Sequence, residues 1–256
     1  MFKTNYYSQF LKGNAFRVVF AAVASFFLAW GASAALADST STDFESFSLG
    51  SVNGQNGWSM TGSFDVEVVD ASADVPSFGN RSLRISNAVT SGSFGDQTFS
   101  QPLAEEAGET DAENGGVSTG PRQEYFEAEW EFASAVPGSE QAGLSVVVSP
   151  DRGDGARMGW IEMADTPSGL EVNYFGYDVS LGGTCSDLTN FVFTTVASGL
   201  DRTVPHTIKV TMEFNDGLNN DIVELYINDT LVHTGKSWED YFRNCQPPGS
   251  RTVDSL

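Results

Sequence analysis

Three glutamates alternate along one short stretch of the chain, at Glu127, Glu129 and Glu131. Apolar residues fill the positions between them, and this period of two is typical of a β-strand with one buried face. Alternate side chains of a strand project from the same face roughly 6.5–7 Å apart. Glycoside hydrolysis uses two carboxylates at such separations, one as acid and one as nucleophile or base, so the three glutamates are candidate catalytic residues. The same pattern also fits the solvated face of an acidic protein, because any half-exposed strand alternates in polarity.

Aromatic and amide side chains form a second candidate site on two neighbouring predicted strands. Trp160 and Glu162 share one face of the first strand, and Asn173 and Tyr177 share one face of the second. Glycan binding uses aromatic rings and a few hydrogen-bonding groups on a rigid scaffold, so these four are candidate ligand-binding residues. The alternative is that Trp160 belongs to the core, because large aromatic side chains are mostly buried.

An oxygen-rich loop supplies the candidate metal ligands Asp216, Asn219 and Asp221. Calcium is bound by about six to eight oxygens from carboxylates, amides and carbonyls, so calcium is the one cofactor that the sequence suggests. The loop lacks the full EF-hand pattern, and an ordinary turn rich in Asn and Asp has the same composition. The sequence contains no phosphate-binding loop, zinc motif or Ser-His-Asp order that would indicate other chemistry.

The first 37 residues have the pattern of a secretory signal peptide. A segment whose only charges are basic precedes an apolar run at residues 18–30, and small residues then suit cleavage after Ala34 or Ala37. The run is short for a membrane span, although an uncleaved anchor is the alternative because the basic segment is long. We therefore expect a secreted or periplasmic protein without membrane contact after cleavage.

Acidic residues dominate the remainder of the chain. Asp and Glu number 34 against 13 Lys and Arg, and the first 37 residues contain no acid. Like charges repel, so nucleic acid and anionic membranes are poor partners. High net charge also keeps proteins soluble and apart from one another, which is the simplest explanation of the excess and favours a monomer.

Cys185 and Cys245 are the two cysteines, and in an exported chain two cysteines most simply form one disulfide. Closing a loop of roughly 60 residues contributes roughly 3–4 kcal/mol to stability in the chain-entropy model. Neither cysteine has another Cys or His at zinc-site spacing, which disfavours metal ligation by this pair.

The clearest alternation lies towards the C-terminus, at residues 206–214, 222–228 and 231–234. Asn228 and Asp229 separate the last two segments, and both residue types tolerate positive φ in tight turns. The sequence therefore predicts a three-stranded antiparallel meander here. One helical turn is predicted within residues 237–242.

About a dozen such segments and their turns predict an all-β fold, a two-sheet antiparallel jelly-roll sandwich preceded by the signal peptide. We expect a single domain at residues 38–256, because residues 43–100 are too poor in apolar side chains to fold alone. Residues 43–50 are predicted as an edge strand that opens the domain. Residues 104–121 show no alternation and are predicted as a surface loop or lid.

The order of four short motifs resembles the concanavalin A-like lectin and glucanase superfamily, in particular bacterial laminin-G-like jelly-roll domains. The motifs are residues 79–85, 126–130, 206–210 and 224–232. The resemblance spans residues 43–256 at the level of the fold. It implies a domain that binds glycans or proteins or cleaves polysaccharides, and the fold alone does not decide among these. The family's last strand, which pairs beside the first, is not visible, so we expect the domain to lack its C-terminal strand.

The resemblance also bears on individual residues. Laminarinase-type hydrolases of the superfamily carry an acid-x-acid-x-acid strand, and residues 127–131 are similar, with Glu129 where Asp is usual. Asp43 and Glu45 resemble the position where related domains hold a structural calcium. An alginate-type lyase would need a His or Tyr base with Arg and Gln or Asn, and no such set is found. His206 opens an inward-facing strand and is expected to be structural.

Taken together, these features favour a secreted, non-catalytic, lectin-like domain whose partner is a polysaccharide or another glycan. One alternative is a polysaccharide-degrading glycoside hydrolase or lyase of the same fold. The other is a structural or adhesive extracellular protein whose domain only packs.

Overall fold

The structure is a computed structural model that describes most of the chain beyond residue 38. The described residues are 39–91, 93, 95–103, 123–152, 155–215, 217–246, 253, 255 and 256, together with the backbone of residues 3–7. The predicted loop at residues 104–121 and most of the predicted leader lie outside them. Among the described residues, no helix is both long and apolar enough to cross a membrane.

The described chain is mostly β-strand in antiparallel sheets, which confirms the all-β prediction. The larger of two main sheets has six strands and contains the predicted meander at one end. From edge to edge its strands are β15 (Thr230–Gly235), β14 (Ile222–Ile227), β13 (His206–Glu213), β8 (Tyr125–Phe132), β1 (Lys3–Tyr7) and β2 (Ser39–Thr42).

The second main sheet has four strands, and its centre is a hairpin. Its strands in order are β12 (Phe191–Leu200), β11 (Gly169–Tyr177), β10 (Trp160–Thr166) and β9 (Ser145–Val148). The hairpin turn pairs Thr166 with Gly169. Gly169 has a φ of +133°, and an added Cβ would collide with the backbone of Gly199 and Leu200, so glycine is required. This tight turn fixes the register of β10 against β11.

Two small sheets, one short α-helix and two 3₁₀ helices, at Pro76–Phe78 and Val179–Leu181, complete the described architecture. The remaining elements are β3 (Gly50–Ser51), β5 (Val66–Asp70) and β6 (Arg81–Ile85) in one sheet, β4 (Ser59–Met60) and β7 (Thr98–Phe99) in the other, and α1 (Glu239–Cys245). The helix lies where one helical turn was predicted and is longer by a few residues at its C-terminal end.

The core lies between the two main sheets and is filled by the inward residues of alternating strands. In β8, Phe126, Ala128 and Trp130 are buried while the residues between them are partly exposed. Ile161 and Met163 of β10 are buried opposite them, and the Trp130 indole N–H points at the Met163 sulfur 3.5 Å away. Burial of such large side chains from both sheets is the main stabilising term of a sandwich.

The predicted edge strand at residues 43–50 is wrong. Phe44 has a φ of 63°, and the Phe47 amide donates to the Phe44 carbonyl, so this stretch is a turn. Phe44 and Phe47 are both buried although they are three residues apart, so this stretch lacks the period of two that a strand requires. The first strand of the domain lies just before it, at residues 39–42.

Glu45 closes this turn onto the motif that begins at Gly79. Its carboxylate accepts hydrogen bonds from the Asn80 and Arg81 amides, at 2.7 and 3.3 Å. Gly79 has a φ of +88°, and the Glu45 carboxylate occupies the space that a Cβ would take. The Glu45 side chain therefore serves as a backbone clamp between these segments.

Residues 3–7 of the predicted leader form β1, in the middle of the six-stranded sheet. β1 pairs with β8 from Lys3 opposite Glu131 to Tyr7 opposite Glu127, and on its other side it pairs with β2. A chain cleaved after Ala37 would therefore leave β8 and β2 without this strand between them.

The predicted disulfide between Cys185 and Cys245 is confirmed, with Cα atoms 5.3 Å apart. It joins the end of α1 to the loop between β11 and β12. The helix begins after Ser237, whose hydroxyl accepts from the Glu239 amide, and Arg243 pairs with Glu239 one turn later at 2.9 Å. Helix and loop are thereby held together at one end of the four-stranded sheet.

Candidate functional site

Three aromatic rings lie side by side across the outer face of the four-stranded sheet. Strand register places Trp160 opposite Phe175, and Phe175 opposite Phe193. The ring centroids are 5.4 Å apart in the first pair and 4.6 Å in the second. Phe193 is 51 % exposed, and the other two rings are partly exposed. We call these three residues the aromatic row.

Polar side chains occupy the next register positions on the same face. Glu162 lies opposite Asn173, and Asn173 lies opposite the exposed Thr195. The Asn173 amide donates to both Glu162 and Glu171 at 3.0 Å, so it holds the two carboxylates in place. Glu162 also accepts from the Ser145 hydroxyl. We call Glu162, Asn173 and Thr195 the polar row, and it runs parallel to the aromatic row.

A cavity of about 570 Å³ opens beside the aromatic row, within the size range of small-ligand sites. The helix α1 and the residues just before it form one wall, and the segment before β10 forms the other. Its aromatic lining is Trp160, Phe175, Phe191, Trp238, Tyr241 and Phe242. We call this space the aromatic cavity; it shares Trp160 and Phe175 with the aromatic row.

Trp238 fixes the helix over the sheet. It is 7 % exposed, and its indole N–H donates to the Phe175 carbonyl at 2.9 Å. Its ring lies 5.0 Å from that of Phe191 and 6.3 Å from that of Trp160, both of which also line the aromatic cavity. The cavity wall is therefore built into the packing of the sheet rather than carried by a separate loop.

Two arginines stack on the aromatic rings of this cavity. The Arg152 guanidinium carbon lies 5.4 Å from the centre of the Phe242 ring, and that of Arg157 lies 5.7 Å from the Trp160 ring. Such cation–π contacts are stabilising and orient the guanidinium group. Burial lowers the pKa of Arg157 and the nearby Asp151 opposes that shift, but an arginine stays charged at neutral pH.

Tyr177, the fourth predicted ligand-binding residue, packs beneath the helix. It is 3 % exposed, and its hydroxyl accepts from the Asn190 amide at 3.0 Å and lies 3.7 Å from the Cys245 sulfur. Its ring packs against Phe191 and Tyr241. Trp160, Glu162 and Asn173 meet on the outer face of the sheet, where Asn173 is only 2 % exposed beneath its two carboxylate partners. Tyr177 supports the helix at the end of that face.

The three candidate catalytic glutamates lie on the outer face of the six-stranded sheet, opposite the aromatic row. Glu127 accepts from the Tyr125 hydroxyl at 2.7 Å. Lys209, opposite Glu129 in register, lies over the Tyr226 ring at 4.4 Å. Burial raises the pKa of Glu129, while Lys209 opposes this shift. The described side chains of this face thus include carboxylates, phenols and the Lys209 ammonium group.

The candidate metal loop is only partly described, because Asp216 lies outside the described residues. Asp221 is buried and accepts from the Asn215 amide at 3.0 Å and from the Ser237 hydroxyl. The Lys236 ammonium donates to the Asn219 carbonyl at 2.8 Å. These contacts tie the loop to the segment before α1. No group of three His, Cys, Asp or Glu side chains that could hold a metal is found in the described part of the chain.

His206 is held by the fold, as predicted from its place at the start of a strand. It is 6 % exposed, its Nε2 lies 2.9 Å from the Asp201 carbonyl, and its Nδ1 lies 3.2 Å from the Asn228 amide. With both ring nitrogens engaged, His206 ties β13 to the turn after β14.

Comparison with protein-family models, curated proteins and solved structures found no match for this chain. The geometry of the two outer faces therefore carries the functional argument.

The sequence prediction missed Phe193, Trp238 and the two arginines of the aromatic cavity. A signal for Phe193 was present, since Phe191 and Phe193 alternate along a predicted strand. What the sequence lacks is the register of that strand, because a long loop precedes it. Trp238 comes from a distant segment that only the tertiary fold brings onto this face.

Proposed function

We propose that this protein is a secreted, non-catalytic, lectin-like domain that binds a polysaccharide or glycan on the outer face of the four-stranded sheet. The observation that carries the proposal is the aromatic row, three rings in register on adjacent strands with the polar row directly beside it. Sugar rings present apolar C–H faces and equatorial hydroxyls. The aromatic rings suit the C–H faces, and the Glu162 and Glu171 carboxylates, which Asn173 positions, suit the hydroxyls.

The exposure of Phe193 supports this assignment. A ring that is 51 % exposed on a rigid strand is not needed to fill the core. The exposed part of an aromatic ring contributes nothing to burial, whereas aromatic anchors are enriched in binding surfaces. The ordered Asn173 bonds add preorganised acceptors at Glu162 and Glu171, which reduces the entropic cost of binding.

The fold part of the proposal is a jelly roll of the concanavalin A-like, laminin-G-like kind. Its support is the antiparallel sandwich, the meander of β13 to β15, and the clamp of Glu45 on the Gly79 motif. Export by the N-terminal leader fits the disulfide, which forms in oxidising compartments.

The test is a panel of soluble polysaccharides and oligosaccharides run against the full chain by calorimetry or affinity electrophoresis. We expect at least one glycan to bind, and Phe193→Ala to weaken that binding at least tenfold. Val192→Ala is the matched control, because Val192 directly precedes Phe193 on β12 and is also exposed, but is not part of the aromatic row. Binding to no glycan, or equal losses in both variants, would refute the proposal.

Polysaccharide hydrolysis at Glu127, Glu129 and Glu131 is the second candidate function. The observation in its favour is that the three carboxylates share one strand face and that burial raises the pKa of Glu129, the direction that a general acid needs. Incubation with β-glucans and analysis of reducing ends tests this directly. Product that disappears in Glu129→Gln would establish it, and absence of product over the whole panel would exclude it.

A further inference from the structure

Two carboxylates converge on one amide beside the aromatic row. Glu162 of β10 and Glu171 of β11 both accept from the side-chain nitrogen of Asn173, each at 3.0 Å. Their bonding oxygens are therefore at most twice that distance apart. Both glutamates are partly exposed, whereas Asn173 beneath them is 2 % exposed. Two acceptors so close together suit a shared ammonium group, which bonds carboxylates at about 2.8 Å.

This pair of carboxylates has no cation of the protein's own in the part of the chain that the structure describes. No described Lys or Arg forms an ion pair with Glu162 or Glu171. On the same strand as Glu162, the buried Asp165 has the Arg202 guanidinium as a partner at 2.6 Å. Two negative charges held together without a positive one favour a cationic ligand.

The amide of Asn173 gives an independent observation at the same place. Its nitrogen donates to the two carboxylates, but its carbonyl oxygen is buried and has no hydrogen-bond partner in the described structure. A buried acceptor without a donor is destabilising, and almost all such groups in proteins are paired. A ligand that carries several N–H donors to the two carboxylates supplies the kind of group that this amide lacks.

We propose that Glu162, Glu171 and Asn173 bind the ammonium group of an amino sugar, so that the glycan is a cationic polysaccharide with free amines. This inference rests on the proposed glycan-binding function and names its ligand class. An ammonium group has three N–H donors and no acceptor, which matches two carboxylates and one amide oxygen. A hydroxyl supplies a single donor, and an ionised carboxylate supplies none.

The aromatic row positions the sugar that carries this group. Trp160 and Glu162 are alternate residues of β10, and Phe175 and Asn173 are alternate residues of β11. Alternate residues of a strand lie roughly 6.5–7 Å apart on one face. A sugar ring stacked on Phe175 therefore directs a substituent at its edge towards the two carboxylates.

The charge of the whole chain favours the same ligand. The net charge of −21 attracts a polycation at long range, and salt screens this attraction. Salt also weakens ion pairs at partly exposed carboxylates. Affinity for the cationic glycan should therefore fall as salt rises from low to physiological concentration, whereas affinity for a neutral glycan should stay nearly unchanged.

The experiment compares three oligosaccharide series on the full chain by calorimetry: oligomers of glucosamine, N-acetylglucosamine and glucose with the same linkage and length. We expect the glucosamine series to bind at least tenfold more tightly than the other two, which lack the ammonium group. Glu162→Gln and Glu171→Gln should each lower glucosamine affinity at least tenfold. They should change affinity for the neutral series less than threefold, because a glutamine oxygen still accepts from a hydroxyl.

Glu213→Gln is the matched control, because it removes one exposed carboxylate from the other main sheet. It should change each affinity less than twofold. Thermal melts of every variant accompany the titrations, and a glutamine variant that unfolds is replaced by the corresponding aspartate. The aspartate keeps the charge but withdraws it from the ligand by one methylene, and it should still lower glucosamine affinity several-fold.

The possible outcomes separate this inference from the proposed function. Equal binding of the three series, with no effect of the glutamate variants, would overturn the amino-sugar inference and leave the glycan-binding proposal intact. Calcium binding that is lost in Glu171→Gln, without a preference for glucosamine, would assign the carboxylates to a metal ion and overturn it as well. Absence of binding to the glucosamine series would also overturn it, and only absence of binding over the whole polysaccharide panel would refute the proposed function.

Discussion

The outer faces of the two main sheets are formed by strands with the same alternation of inward and outward residues, but their outward side chains differ in their contacts and exposure. On the six-stranded sheet, Glu127 is bonded to Tyr125, and Lys209 lies over Tyr226 beside Glu129. On the four-stranded sheet, the rings of the aromatic row are exposed or border a cavity. Both faces contain carboxylates bonded to neighbouring side chains, and the four-stranded sheet in addition presents exposed ring surface at Phe193.

This difference shows that residue spacing along one strand is a weak guide to a site. The three glutamates have the spacing of a catalytic pair, but Tyr125 of the same strand bonds Glu127, and the neighbouring strand places Lys209 opposite Glu129. Considered alone, Trp160 could have been a core residue. The next two strands place Phe175 and Phe193 in register with it, so it becomes part of a row of rings on the outer face. Cross-strand neighbours decide the chemistry of a sheet face.

The largest expected effect is loss of the disulfide, which staples only the aromatic face. Replacing Cys185 and Cys245 by serine should lower the free energy of unfolding by about 3–4 kcal/mol in the chain-entropy model. Glycan affinity should also be reduced at temperatures well below the melting temperature, because α1 forms a wall of the aromatic cavity. Urea unfolding and titration at low temperature measure the two effects. Unchanged affinity in a folded double variant would show that the helix is not part of the site.

Trp160→Ala comes next and tests whether this ring belongs to the binding face or to the core. We expect glycan affinity to fall by about 2 kcal/mol, the usual cost of truncating an aromatic anchor. The melting temperature should change little, because the ring is only partly buried on the outer face. A large drop in melting temperature with no specific loss of binding would assign Trp160 to the core.

Tyr177→Phe should have a smaller effect, confined to stability. The variant removes the hydroxyl that accepts from Asn190, and a lost buried hydrogen bond costs about 1 kcal/mol. Glycan affinity should stay within twofold of the wild type, because the ring beneath the helix is kept. Calorimetry of unfolding and binding measures both, and a tenfold loss of affinity would place Tyr177 in direct contact with the ligand.

The smallest expected effect is on the acidic face, through the titration of Glu129. Burial raises its pKa, with Asp229, Glu127 and Glu131 adding to the shift and Lys209 opposing it. The folded protein therefore holds this proton more tightly than the unfolded chain, so its contribution to stability is present at low pH and lost as pH rises through the carboxyl range. Glu129→Gln cannot ionise, so its stability relative to wild type should increase from pH 4 to pH 7. Chemical unfolding at both pH values checks the sign, and a decrease would contradict it.

Much of the fold could be predicted from the sequence where local pattern and short turns act together. The period of two along β8 fixes which residues face inward, and the tight turn at Gly169 fixes β10 against β11. That hairpin already places Glu162 beside Asn173 and Trp160 beside Phe175. The disulfide could be predicted because the chain has only two cysteines and its N-terminal sequence predicts export.

The rest depended on tertiary contacts that the pattern does not encode. Phe44 and Phe47 are buried in a turn, and Phe44 between polar neighbours was mistaken for the start of a strand. Phe193 joined the aromatic row only because β12 pairs with β11 after a long loop. Trp238 follows Trp160 by 78 residues, and Arg152 precedes it by 8 residues. No sequence period relates these three positions.

The most direct test of the central claim sets the two faces against each other in one binding measurement. A Trp160→Ala, Phe193→Ala chain and a Glu127→Gln, Glu129→Gln, Glu131→Gln chain are titrated with the glycan that the wild type binds, and reducing ends are assayed in parallel. We predict that the first variant loses binding, the second binds as the wild type does, and none of the three releases product. The account would be contradicted if the Trp160→Ala, Phe193→Ala chain still bound the glycan while the triple glutamine chain did not. It would also be contradicted if the wild type released product and the triple glutamine chain did not.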